Sequence, residues 1–282
     1  MIVVTGATGT VGRQVVRQLV ASGAPVRALV RDPNRRDGLG ASVERVRADL
    51  AEPASLDSAL AGAEKLFLLA VGPELARLEA NAIAAAQRAG VRHIVELSAL
   101  GADQEPGITL GRWHRQAERQ LMASGMAWTI VRPAAFMSNS FDWAATIKAQ
   151  DAVYHAAGDG KIAAIDPADI AAVAVLALTT RGHEGQAYTL TGPEALSVSE
   201  QVERIAAALG RPLRAVAIAE GEARASMLQA GVPKSMVDPL LELAALIRAG
   251  YAGLVTATVE ELLGRRACSF DEWLRDNVAA FQ

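Results

Sequence analysis

Short runs of β-branched and apolar residues alternate with longer segments in which apolar positions recur every three or four places. The pattern predicts strands over Ile2–Thr5, Val26–Val30, Val43–Arg47, Lys65–Ala70, Arg92–Leu97 and Ala127–Val131. Between them it predicts helices over Thr10–Ser22, near Ser55–Leu60, and over Leu75–Ala89 and Thr109–Ala123. Gly23 with Pro25, then Gly90 and Gly125, supply the stops that such helices need. Strands alternating this regularly with helices imply an α/β chain: a Rossmann-type, doubly wound parallel sheet covered on both faces.

After Pro133 the rhythm changes. Helix Ala168–Leu178 and strand Gln186–Leu190 are expected to complete the sheet, and helices dominate from Ser197 onward. Ser197-x-x-Glu200 and Ser269-x-x-Glu272 have the spacing of capping boxes. In Lys234–Ala249, Leu240, Leu241, Ala244 and Ile247 share one helical face. That face suits either a lid over a substrate cleft, with Met227 and Met236 as adaptable contacts, or a plain packing helix. The expected division is a dinucleotide-binding domain over 1–150 and a smaller, mostly helical substrate-binding part over 151–282, not cleanly separable.

Composition narrows the function. The chain is 51% apolar and 21% charged, enough for a full core, and its net charge of −3 argues against a nucleic-acid partner. Cys268 is a lone cysteine and the four histidines show no metal-binding spacing, so no metal is expected. MIVVTGATG is already a buried strand entering a glycine turn and leaves no room for a signal peptide. The longest apolar stretch, Ile170–Leu178, is too short to span a bilayer. A cytoplasmic protein, monomeric or homodimeric and with no membrane partner, is expected.

The chemistry begins at TGATGTVG. Gly6, Gly9 and Gly12 follow a strand and open a helix: one glycine for the sharp turn, one for close approach to a pyrophosphate, one for tight helix–sheet packing. With Thr8, Thr10 and Val11 they form the expected phosphate cradle, where unpaired helix amides meet the negative charge. The second strand ends on Arg31, with Arg35 and Arg36 following. A carboxylate there would read the ribose hydroxyls of NAD, whereas a guanidinium suits the 2′-phosphate of NADP(H). Asp32 is the counter-signal.

TGATGTVG and Arg31, with the later segments ADL (Ala48–Leu50), ELSAL (Glu96–Leu100), GRWHRQAE (Gly111–Glu118) and VRPAAFMSN (Val131–Asn139), resemble the NmrA-like family of atypical short-chain dehydrogenases/reductases. The likeness is closest to its bacterial quinone-reductase and triphenylmethane-reductase-like members. It implies that Asp49 and Leu50 border the adenine, that Ala70, Val71 and Gly72 line the cofactor, and that Pro133 to Phe136 border the nicotinamide.

The broader superfamily donates its proton through Tyr-x-x-x-Lys, and no YxxxK exists here. By the resemblance Leu110 takes the tyrosine's place and His114 the lysine's, which makes His114 a candidate for touching the nicotinamide ribose or positioning substrate. Ser98 stands where the superfamily keeps an active-site serine. Hydride transfer to a simple ketone leaves a strongly basic alkoxide, and losing the acid costs roughly 10²–10⁴-fold. A quinone leaves a phenolate-like oxygen whose conjugate acid has a pKa of about 10. The sequence therefore predicts an NADPH-dependent reductase of a conjugated or aromatic acceptor: a quinone, a polycyclic ketone or a dye-like compound. The alternative is a redox sensor that binds NADP(H) without turning it over.

Overall fold

The computed structural model describes residues 1–34, 38–40 and 43–282. The chain runs through β1 (Ile2–Val4), α1 (Thr10–Ala21), β2 (Val26–Val30), β3 (Glu44–Arg47), α2 (Pro53–Leu60), β4 (Lys65–Leu68) and α3 (Leu75–Ala89). It continues through β5 (His93–Leu97), α4 (Thr109–Ala123) and β6 (Ala127–Pro133). A 3₁₀ segment, Met137–Trp143, leads into α5 (Ala144–Gln150), β7 (Ala152–His155), β8 (Lys161–Ile162), α6 (Pro167–Thr179) and β9 (Gln186–Leu190). The remainder is β10 (Leu196–Ser197), α7 (Val198–Leu209), β11 (Arg214–Ala217), α8 (Glu220–Gln229), α9 (Lys234–Arg248), α10 (Thr258–Leu263) and α11 (Phe270–Asn277). Where a strand or helix was expected the boundaries agree to within two residues.

Seven strands form one parallel sheet in the order β3-β2-β1-β4-β5-β6-β9. Its register places Ala28, Val4, Phe67, Val95 and Thr129 in one row across β2, β1, β4, β5 and β6. The strand order reverses between β1 and β4, and a sheet of this type binds its ligand beyond the carboxyl ends of the strands at that reversal. Val3, Leu66, Leu68, Ile94 and Ile130 face α2 and α3 and pack with Leu56, Leu60, Ala82, Ile83 and Ala86. The other face takes α1 and α6, tied by the Gln18 Nε2 to Ala168 carbonyl bond of 2.9 Å. Buried on both faces, the central strands carry apolar residues almost without a break, whereas edge strand β3 reads ERVR and is nowhere buried.

Two compact units emerge. The first comprises Met1–Gly107, Gly111–Pro133 and Pro167–Thr189, and the second Ile108–Leu110, Ala134–Asp166 and Leu190–Gln282. This interleaved division differs from a cut at residue 150: α6 and most of β9 go to the first unit because they cover and extend its sheet, while 134–150 joins the second. The second unit has its own core of Met137, Ile147, Val153, Val202, Ile205, Phe270, Trp273 and Phe281. Both capping boxes form, Ser197 and Ser269 accepting from the amides of Glu200 and Glu272 at 3.2 Å. In α9 the buried positions are Val237, Pro239 and Leu241, of which Val237 and Leu241 pack with Ala156 and Ala223. Among the described residues no helix is long and apolar enough to cross a membrane.

Candidate active site

The three glycines hold three different geometries. Gly6 has φ +58°, and a side chain there would strike Leu69. Gly12 lies in α1 where a Cβ would come within 2.2 Å of the Gly6 carbonyl oxygen, so only glycine lets this helix close on the turn. Gly9 is the N-cap of α1 and has no side chain to satisfy the helix amides. A Cβ on Gly9 meets only the Gly6 oxygen, at 3.2 Å. The first-turn amides of Thr10, Val11 and Gly12 therefore face outward over a surface without a side chain, beside exposed Thr8. This cradle fits a pyrophosphate.

Thr5 couples the cradle to the next strand end. Its Oγ1 accepts from the Leu69 amide at 2.7 Å and donates toward the Leu69 carbonyl at 3.1 Å, which fixes the turn after β4 against the turn after β1. Within that turn Ala70 is buried, Val71 is 76% exposed, and Gly72 takes φ +88°.

At the end of β2, Arg31 is exposed. Asp32 beside it forms a local turn, its Oδ1 accepting from the Asn34 amide at 2.9 Å. Arg35 and Arg36 lie outside the described residues. Asp49 Oδ1 likewise caps its own turn through the Ala51 amide at 2.8 Å, and the Leu50 carbonyl accepts from Asn81 at 2.8 Å. Pro133 ends β6 in the first unit with its carbonyl accepting from the Leu100 amide, whereas half-buried Phe136 belongs to the second unit and bridges to Ile165.

Ser98 and His114 meet at a carboxylate that sequence reasoning missed. Ser98 Oγ donates to Glu118 Oε1 at 2.5 Å, and Arg132 grips both oxygens of Glu118, through Nε at 2.8 Å and Nη2 at 2.7 Å. Arg132 also reaches Asp103 at 2.6 Å. Glu118 is 1% exposed, and the fork from Arg132 supplies its charge-assisted hydrogen bonds. His114 stands one turn before Glu118 on α4, its Nδ1 buried without a partner. Burial pushes the His114 imidazole down to about 4, and the opposing pull of Glu118 does not restore it. His114 is neutral at physiological pH.

Two further glutamates lie beneath the turn after β4. Glu79 of α3 accepts from the Ala70 amide at 3.1 Å, and Glu96 stands in β5; neither has exposed surface. Burial pushes Glu79 up to about 7 and holds Glu96 well above the usual carboxylate range. The sequence does carry a trace of them, since HIVEL and LARLEANAIAAA each place one glutamate among apolar neighbours.

The sequence model described as NAD(P)H-binding matches residues 6–181. The chain is 42% identical to the NAD(P)H azoreductase of Xenophilus azovorans, over 100% of this chain and 99% of that protein. It is 43% identical to the (4-alkanoyl-5-oxo-2,5-dihydrofuran-3-yl)methyl phosphate reductase of Streptomyces griseus, over 100% and 99% of the two chains. Among solved structures, the Escherichia coli NADPH-dependent quinone oxidoreductase QOR2 complexed with NADPH superposes with a TM-score of 0.88 at 30% identity, covering 98% of this chain and 99% of that one.

Proposed function

Since the chain belongs to the NAD(P)H-binding family and is an NAD(P)H-dependent oxidoreductase of the NmrA-like, atypical short-chain dehydrogenase/reductase kind, we propose that it passes hydride to a conjugated or aromatic acceptor without a side chain as obligatory acid. The acceptor is a quinone, a polycyclic ketone or a dye-like compound. One observation supports this reading: the candidate proton donors are already committed. Ser98 donates its hydroxyl hydrogen bond to Glu118, Glu118 is tied to Arg132, and burial pushes His114 down to about 4.

NADPH, when bound, supplies the hydride from its nicotinamide ring. The Gly6–Gly12 turn receives the pyrophosphate on the open amides of α1, helped by the positive end of the helix dipole. Arg31 takes the 2′-phosphate, Asp49 and Leu50 border the adenine, and Ala70, Val71 and Gly72 line the cofactor beyond them. Neutral His114 has one ring N–H to offer as a hydrogen bond, enough to orient a ribose or an acceptor oxygen but not to deliver a proton readily. Ser98, held by Glu118, fixes the end of β5. Such a site favours an acceptor whose reduced form is a stabilised anion, and the azo and quinone substrates in the relatives' names fit that class. We place the protein in the cytoplasm, as a monomer or homodimer.

The test is steady-state NADPH oxidation across a quinone, an azo dye and an aliphatic ketone. Turnover with the first two and little with the ketone is expected. Tight NADPH binding with no oxidation by any acceptor would overturn the proposal in favour of a redox sensor.

A further inference from the structure

Glu79 and Glu96 are the two most deeply buried carboxyl groups of the first unit that no arginine grips. Glu79 Oε1 accepts from the Ala70 amide at 3.1 Å. Its Oε2 and both oxygens of Glu96 have no donor from any other group, although all three are sealed from solvent. The two carboxyls contact one another directly. Oxygen atoms cannot satisfy each other, so two bare carboxylates here would leave three buried acceptors empty and set two like charges side by side. One proton between them removes both problems. The charged neighbours favour this arrangement: Glu118 of α4 adds negative charge, and Arg132 of β6, the cation that lowers Glu96, is already engaged by Glu118 and Asp103.

We propose that Glu79 and Glu96 form a carboxylic acid–carboxylate pair sharing one proton, and that Glu79 is a positioning residue that holds the Ala70–Gly72 turn in the form the cofactor meets. The inference rests on the reading that this turn lines NADPH. Ala70 is buried and Val71 exposed. The Ala70 amide bond to Glu79 holds the middle of a turn whose start is tied to Thr5 through Leu69 and whose end is tied by the Leu75 amide to the Gly72 carbonyl. The shared proton keeps Glu79 in place: as an isolated anion it would be drawn toward solvent, away from Glu96 and Glu118, and would pull the turn with it.

Four variants and three measurements other than turnover test this. Glu79→Gln keeps an acceptor for Ala70 and a donor for Glu96, and should retain NADPH affinity. Glu79→Leu leaves the Ala70 amide without its acceptor. Its NADPH affinity should fall roughly tenfold, the loss expected for an emptied buried hydrogen bond. Should Glu79→Leu fail to fold, the double variant Glu79→Leu/Glu96→Leu removes both polar groups at once, a replacement that buried ionic pairs tolerate; it should lose affinity equally. Hydrogen exchange at the Ala70 amide should accelerate in either leucine variant. Infrared spectra at pH 8 should show a buried carboxylic-acid carbonyl band in the wild type that vanishes in Glu96→Gln. Unchanged Ala70 exchange, or no acid band, overturns the proposal. Faster Ala70 exchange with unaltered NADPH affinity shows instead that the turn is held as described but does not line the cofactor.

Discussion

Ser98 donates to Glu118 at 2.5 Å, and through that bond the end of β5 is fixed to the middle of α4. The same carboxylate takes both arms of Arg132, so β5, α4 and β6 share one buried ion pair. Removing Arg132 alone would strand Glu118. Arg132→Met should destabilise the protein by about 3–5 kcal/mol, while Arg132→Met/Glu118→Met should recover much of the loss. Urea unfolding of both variants measures it; equal losses would show that the pair contributes no more than ordinary packing.

The glycines separate binding from folding. Gly9→Val should abolish dinucleotide binding and leave the sheet intact, because the branched side chain fills the cradle and meets only the Gly6 oxygen. Gly12→Ala should destabilise the fold itself, since its Cβ would sit 2.2 Å from a backbone oxygen. Circular dichroism melts beside NADPH titration distinguish the two. A Gly9→Val protein that binds NADPH at wild-type affinity would remove the turn from the cofactor site.

Arg31→Ala should weaken NADPH binding by about 1.5–3 kcal/mol, the range for a charge-assisted hydrogen bond, and hardly alter NADH. Titration calorimetry with both nucleotides decides it. Equal losses would mean that Arg31 does not read the 2′-phosphate.

His114→Ala should lower turnover moderately through poorer positioning, without eliminating it. The wild-type rate with quinones should show no His114 ionisation between pH 6 and 8, because the imidazole is neutral down to about 4. Fast reduction of aliphatic ketones, lost wholly in His114→Ala, would instead make His114 the general acid.

Stability should respond to pH with two opposite signs. His114 titrates near 4 when folded and near 6.5 when unfolded, so its contribution is present above 6.5 and is lost as pH falls toward 4. Burial pushes Glu79 from 4.5 up to about 7 within its pair with Glu96, so the contribution of that pair is present below 4.5 and is lost as pH rises toward 7. His114→Asn should flatten the acid limb and Glu79→Gln the limb toward neutrality. Denaturation midpoints across this range provide the check, and identical profiles for wild type and both variants would refute the assignment.

The sequence by itself determined the frame. Alternating apolar runs and helical spacing gave the order and extent of the sheet's elements, because those depend on local periodicity and on which residues stop a helix. The glycine spacing located the tight turn between β1 and α1 for the same reason: Gly6, Gly9 and Gly12 act within a few residues of one another. Both capping boxes were legible, being contacts across three residues. Tertiary structure alone decided that Glu118 joins Ser98 and Arg132, residues 20 and 14 positions away, and that Glu79 meets Glu96. It also decided that His114 is neutral. A glutamate or histidine in a sequence has no known dielectric; burial sets its charge, and burial depends on which distant segments close over it.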